Sequence, residues 1–251
     1  MNKLIDRVEI LDISIFSKIK SQSNDGDKKS LLAVQRSYRQ QNDNYVYLEI
    51  GSHLGGTLQP YVIDNNCQKI ISIDPRPSSQ PDDRSEGYVA NYQDNSSERM
   101  IELLTQANLG DVSKIECVEK DASEIDISEI NQAPHICFID GEHTNRAAYS
   151  DYQFCKKITH QIGSILFHDF CIVHKAILKI CFEAYCNGEV IYPVRMEGNV
   201  FAIFRDKNTI KKDPYILKLY KNKQNCIMRA SLKMKAFLTK IGFSFQLKYS
   251  F

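Results

Sequence analysis

Four carboxylates in this chain share one setting. Glu49, Asp74, Asp140 and Asp169 each close a short apolar run, in "YVYLEI" (45–50), "KIISID" (69–74), "HICFID" (135–140) and "SILFHD" (164–169). Acids in register at one edge of a sheet repel one another, so packing alone does not account for them. A cationic ligand would be cheaper to bury beside such a set. Asp140 and Asp169 end runs that read as neighbouring parallel strands, about 4.8 Å apart, so their carboxylates can converge on one divalent cation. Such an ion would bind a hydroxyl and lower its pKa. His143, three residues past Asp140, is a candidate base for the released proton, with packing or helix capping as its other reading.

A second feature sits beside Glu49. The run from Gly51 to Gly56, Gly-Ser-His-Leu-Gly-Gly, follows a strand directly, which marks a place where backbone approaches a ligand closely. A dinucleotide fingerprint has the spacing G-x-G-x-x-G, and this loop lacks the glycine at the third position, which disfavours a pyrophosphate. Asp74, about twenty residues on, is still placed to accept hydrogen bonds from both hydroxyls of a ribose. An adenosine-containing ligand without a pyrophosphate fits both observations.

The elements that must hold these residues can be read from period and breakers. Strand-like runs at 45–50, 69–74, 114–119, 135–140 and 164–169 alternate with helical stretches at 56–66, 96–110, 145–159 and 174–188. The runs are too apolar to have one wet face, which predicts a mostly parallel, doubly wound α/β sheet covered by helices on both sides. "EVIYPV" (189–194) and "NVFAIFR" (199–205) are joined by too short a link for a parallel crossover, so an antiparallel hairpin should close one edge. Residues 1–43 read as one or two helices broken at "SQSNDGDKKS" (21–30), and 75–96 as a long polar connection, either a lid over the substrate or a disordered insertion.

In that order and spacing, "LEIGSHLGG", "ISIDP", "VEKDAS", "FIDGEHT" and "ILFHDF" resemble the class I S-adenosylmethionine-dependent methyltransferases. Within them the chain is most similar to small-molecule and sugar O-methyltransferases with a D-G-x-H motif. The likeness covers roughly residues 45 to 205 and implies a seven-stranded Rossmann-like sheet with a terminal antiparallel hairpin. It further implies that Glu49, Gly51, Ser52 and Gly55 hold the methionine part of the cofactor, Asp74 the ribose, and Asp121 with Ala122 the adenine, with Asp140 also at the cofactor. Asp121 reads equally as a plain helix cap. Catalysis would fall to His143, Asp140 and Asp169, and a divalent metal (magnesium, manganese or another) to Asp140, His168 and Asp169. Metal-dependent relatives tend to carry two adjacent acids where this chain has His168-Asp169. Imidazole suits zinc, iron or manganese better than magnesium, so either the metal differs or none is bound. His174 stands near the same rim, at what reads as a solvent-facing helix start.

The acceptor expected from the resemblance is a hydroxylated small molecule, a sugar or a lipid-linked glycan. Two other readings stay open. A metal-dependent hydrolase could use Asp140, Glu142, His143, His168 and Asp169 but leaves the glycine loop and Asp74 unexplained. A binding module could use residues 207–251, where the lysines and Arg229 face the single acid Asp213 although the net charge of the whole chain is only +1. That basic end suits an anionic surface, or is a solvated helix docked on the sheet domain. The expected organisation is an N-terminal helical segment (1–43), a catalytic domain (44–206) and a basic extension (207–251); a homo-oligomer is compatible with it. No secretory signal or run of about 20 apolar residues is legible, and the eight cysteines lack metal or CxxC spacing, so buried free thiols and a cytoplasmic setting are expected.

Overall fold

A computed structural model describes residues 5–41 and 44–242. In chain order they form α1 (Asp6–Glu9), α2 (Asp25–Arg39), β1 (Tyr45–Ile50), α3 (Gln59–Ile63), β2 (Cys67–Ile73), β3 (Ser79–Pro81) and β4 (Val89–Asn91). There follow α4 (Ser97–Ala107), β5 (Ile115–Val118), β6 (Ile136–Ile139), α5 (Asn145–Ile158), β7 (Ser164–Phe167) and α6 (Phe170–Cys186). The chain continues through β8 (Tyr192–Arg195), β9 (Phe201–Phe204), α7 (Lys207–Lys212), α8 (Pro214–Lys221) and α9 (Lys223–Lys240).

Seven strands make one sheet in the order β5-β2-β1-β6-β7-β9-β8. β1 pairs in parallel with both β2 and β6, Leu48 lying opposite Ile71 and Cys137. β7 and β9 are antiparallel, as are β9 and β8, so the expected hairpin closes the edge. Strand order reverses between β1 and β6, which opens a crevice at their carboxyl ends. Apolar side chains from both faces of the sheet are buried in two clusters. One joins Leu31, Leu32, Val34 and Tyr38 of α2 to Tyr47 and Phe138, and the other joins Ala148 of α5 and Ala176 of α6 to Leu48 and Phe167.

The local signals act as their chemistry predicts, with shifts in place. Ser96 caps α4 by accepting from the Arg99 amide, but the helix stops at Asn108 in the left-handed region (φ 50°), before Gly110, because asparagine also tolerates that conformation. The stretch 21–30 is a break only in its first half. Asn24 and Asp27 form a reciprocal capping box there, so α2 starts at Asp25. α6 begins at Phe170 rather than 174 and is kinked at Val173. The connection 75–96 is ordered and folds as the β3–β4 hairpin, which overturns the disordered alternative.

Candidate functional site

The bend after β1 is set by close contact. Gly51 has φ +88°, and a Cβ there would lie 2.2 Å from the Asp140 carbonyl oxygen, so the loop can pass the end of β6 only as glycine. Gly55 (φ +78°) packs against Met100 and Leu104. The loop turns back so that the His53 amide donates to Asp74 Oδ2 (3.0 Å), while the Arg76 amide donates to Oδ1 (2.8 Å) and its guanidinium lies 3.3 Å from Oδ2. Asp74 is thereby fixed at the tip of β2.

A cleft of about 560 Å³ opens beside this loop, walled by Gly51, Asp74, Tyr92, Ala122 and the carboxylates of Asp121, Asp140, Glu142 and Asp151. No lysine or arginine lines it. His53 is held below its ordinary pKa, first by burial, and so adds no charge at neutral pH. Asp151, on α5, is pushed up to about 8 by burial, then by Asp121 and Glu142, which keeps it protonated at neutral pH. Asp121 is a cap as well as a wall: its Oδ1 accepts from the Ser123 amide at 2.8 Å. A second cleft of about 400 Å³ is lined by Ser52, Gly56, Thr57, Asp140 and His143, together with Lys20, Ser21 and Gln22 from the N-terminal segment.

Glu49 and Gly55 line neither of these two clefts. Glu49 lies within β1, fully buried, and accepts from Tyr47 Oη (2.6 Å) and Thr57 Oγ1 (2.5 Å). Burial pushes its pKa up to about 8, so at neutral pH it supports the loop from behind largely as an acid.

Where the clefts meet, β6 delivers Asp140 one residue past its end; His168 and Asp169, one and two residues past the end of β7, stand behind it and line neither cleft. His168 Nε2 lies 3.2 Å from Asp27 Oδ2, and its Nδ1 is 2.9 Å from Asp140 Oδ1 and 3.6 Å from Asp169 Oδ2. His143 Nδ1 lies 3.0 Å from Asp82 Oδ2 and 3.3 Å from Asp169 Oδ2, and its Nε2 is 3.6 Å from Asp140 Oδ1. Burial alone would lower both imidazoles, but the surrounding carboxylates raise His143 and lift His168 well above its ordinary value. The same partners hold Asp140 at about 2 against its own burial. Asp169 takes the left-handed conformation (φ 47°) at the start of α6. His174 stands apart, its Nδ1 near the Cys171 carbonyl.

Residues 48–170 match the family model of a methyltransferase domain. No curated protein matches the chain. Among solved structures it is similar to the MycE methyltransferase from the mycinamycin biosynthetic pathway in complex with Mg and SAH (TM-score 0.52, 13% identity, 80% of this chain and 55% of that one). It also resembles the O-methyltransferase NovP (TM-score 0.54, 11% identity, 72% and 79%) and the calicheamicin methyltransferase CalS11 (TM-score 0.51, 14% identity, 79% and 91%). At these identities the likeness is one of fold. The chain spans little more than half the length of MycE.

Two supports of this centre have no local signal in the sequence. Asp27 comes from α2, fully buried, and Asp82 from the β3–β4 hairpin. The hairpin is tied down by the Asp83 amide donating to the His143 carbonyl (2.9 Å) and the Asn145 amide donating to Asp83 Oδ2 (2.8 Å). The residues also fit a divalent metal. Asp140, His143 and His168 each bring a ligand atom within 4.8 Å of the others, with His168 Nδ1 2.9 Å from Asp140 Oδ1; Asp169 is not in that set. Asp27 at Nε2 would keep that proton in place if an ion displaced the one on Nδ1, the usual carboxylate support of a metal-binding histidine.

The expectation of buried thiols needs correction at four places. All eight cysteines are unbridged and Cys67, Cys137, Cys155 and Cys181 are buried, but Cys117 and Cys186 are half-buried and Cys171 and Cys226 are exposed. No helix among the described residues is long and apolar enough to cross a membrane.

Proposed function

We propose that the chain is an S-adenosylmethionine-dependent O-methyltransferase for a hydroxyl of a sugar or polyhydroxylated natural product, assisted by a divalent cation. The observation that carries this reading is the wall of the first cleft, acidic and free of lysine and arginine beside the glycine bend. Such a wall disfavours the phosphates of a dinucleotide and suits a cationic sulfonium joined to adenosine. Asp74 would accept from the ribose hydroxyls, Asp121 and Ala122 would border the adenine, and Gly51 and Ser52 the methionine tail. Asp140, His168 and Asp169 would hold the metal. When bound, the cofactor supplies an electrophilic methyl group, and the metal a positive charge that acidifies a hydroxyl.

The chain's own contribution is positioning and proton removal. Asp82 orients the His143 imidazole through Nδ1, so Nε2 is the atom left to take the acceptor's proton. The resulting imidazolium is stabilised by Asp82, Asp169 and Asp140, the groups that already raise its pKa. His143 would hold the acceptor's proton until solvent removes it, leaving the oxygen free to take the methyl group that the cofactor would supply. The names of MycE and CalS11 connect those proteins with mycinamycin and calicheamicin pathways, which supports a natural-product acceptor. A hydrolase would need no adenosine cleft.

The test is calorimetric titration with S-adenosylhomocysteine after metal removal, with NAD for comparison. Saturable binding of S-adenosylhomocysteine alone, lost in Asp74→Ala, is expected. Preference for NAD, or no binding, would overturn the proposal.

A further inference from the structure

Helix α9 has two faces with opposite environments. Asn225, Arg229, Leu232 and Ala236 are buried on one side. There Leu232 joins the cluster that holds α6, Asn225 exchanges hydrogen bonds with the Arg195 backbone at the edge strand β8, and Arg229 stacks on Tyr220 at 3.8 Å. The helix is therefore fixed to the domain by its inner face.

Its outer face is apolar too. Ile227, Met234, Phe237 and Ile241 are 55–59% exposed, and with Ala230 they recur at alternating steps of three and four residues. At about 100° per residue these positions fall in one stripe almost directly opposite the docked face. Lys233 and Lys240 flank the stripe on one side, Lys235 on the other, and Lys223 lies in line with it. A shallow groove of about 460 Å³ beside the stripe is lined by Tyr185, Lys233, Ala236, Phe237 and Lys240, with the Lys233 ammonium 5.5 Å from the Tyr185 ring centre.

We propose that this face of α9 seats the protein on an anionic lipid surface. An apolar stripe framed by lysines is the pattern of a helix lying in the membrane interface, where the apolar side chains enter the acyl boundary and the lysine stems reach back to lipid phosphates. Charge selects this occupant. From Pro214 to the last residue the chain has no aspartate or glutamate, and residues 214–242 hold six lysines and Arg229. Two copies meeting through this face would place like charges against one another, whereas an anionic bilayer neutralises them. A nucleic acid would satisfy the lysines but leave Met234 and Phe237 in water.

The test is sedimentation of the full chain with vesicles of phosphatidylcholine alone and with about a third phosphatidylglycerol. Partitioning at least about tenfold stronger to the anionic vesicles is expected, weakening as salt rises. The double variants Met234→Ser/Phe237→Ser and Lys233→Glu/Lys235→Glu should each lower it at least about tenfold, the first while melting like the parent because both side chains are exposed. Equal binding to both vesicle types, no binding, or unchanged binding in either variant would overturn the proposal. So would light scattering that shows a dimer dispersed by Met234→Ser/Phe237→Ser.

Discussion

Replacing Asp27 by asparagine tests the role assigned to His168 without altering any residue of the two clefts. The Asp27 carboxylate accepts from the Asn24 amide (2.7 Å), the Asn199 amide (2.6 Å) and His168 Nε2 (3.2 Å). An asparagine of the same shape has one acceptor oxygen, so its NH2 must face at least one of these donors. If it faces His168, the imidazole can accept there only by giving up its Nε2 proton, which leaves the remaining proton on Nδ1, where the ion would bind. One lost charge-assisted hydrogen bond should cost about 1.5–3 kcal/mol of stability. Loss of the tautomer support should lower metal affinity about 10–100-fold. Calorimetric titration with manganese measures the second effect and urea unfolding the first, while S-adenosylhomocysteine affinity without metal should stay at the parental value because Asp27 borders neither cleft. A folded Asp27→Asn protein with parental manganese affinity would refute the reasoning, because Nδ1 would then have no part in holding the ion.

Gly51→Ala should lower stability by at least about 3 kcal/mol or prevent folding, since both the φ of +88° and the 2.2 Å approach to the Asp140 carbonyl oppose a Cβ; thermal melting checks it. Glu49 has a folded-state pKa of about 8 against 4.5 for the free group, so the native chain keeps a proton that the unfolded chain releases. Its contribution to stability is full below about pH 4.5 and is lost as pH rises to about 8. Glu49→Gln should remove that part of the slope, read from urea midpoints at about pH 5 and 8, and an unchanged slope would exclude Glu49 as its source. Asp140→Ala should bind S-adenosylhomocysteine within about threefold of the parent yet lose turnover at least about 100-fold on an accepted hydroxyl substrate, and unchanged turnover would remove Asp140 from the chemistry.

The sheet was legible because its strands are buried on both faces and stand out as apolar runs between helical periods. Asp74 and Asp140 were legible because each ends such a run and lines the crevice that the topology opens. Glu49 has the same local pattern but a different place. It lies one residue before the end of β1, so the two-residue alternation of a strand turns it toward Tyr47 and Thr57, and its carboxyl is spent inside the fold. Asp27 and Asp82 were illegible for another reason. Asp27 reads as part of a capping box, which it also is, and Asp82 as one of several acids in a polar connection. Their second roles depend on contacts with residues 141 and 61 positions away, which no local period encodes.

His168 in the place of an acid was visible in the sequence, but the reason it is tolerated lies in Asp27. A carboxylate at position 168 would stand with the buried Asp27 behind it and with the partly exposed Asp140 and Asp169 in front. The histidine accommodates both sides, donating from Nε2 to Asp27 while Nδ1 faces the two acids. His168→Asp alone should therefore be destabilised by repulsion from Asp27. Two like charges about 5 Å apart at an effective dielectric of about 20 oppose one another by roughly 3 kcal/mol. Adding Asp27→Asn removes that charge and offers an NH2 to the new carboxylate, so the double variant should be more stable than the sum of the single changes by about 1–3 kcal/mol. Urea unfolding of the four proteins in this cycle measures the coupling. Additivity within about 0.5 kcal/mol would mean that positions 27 and 168 do not form a unit, and that the histidine is held by something other than its buried partner.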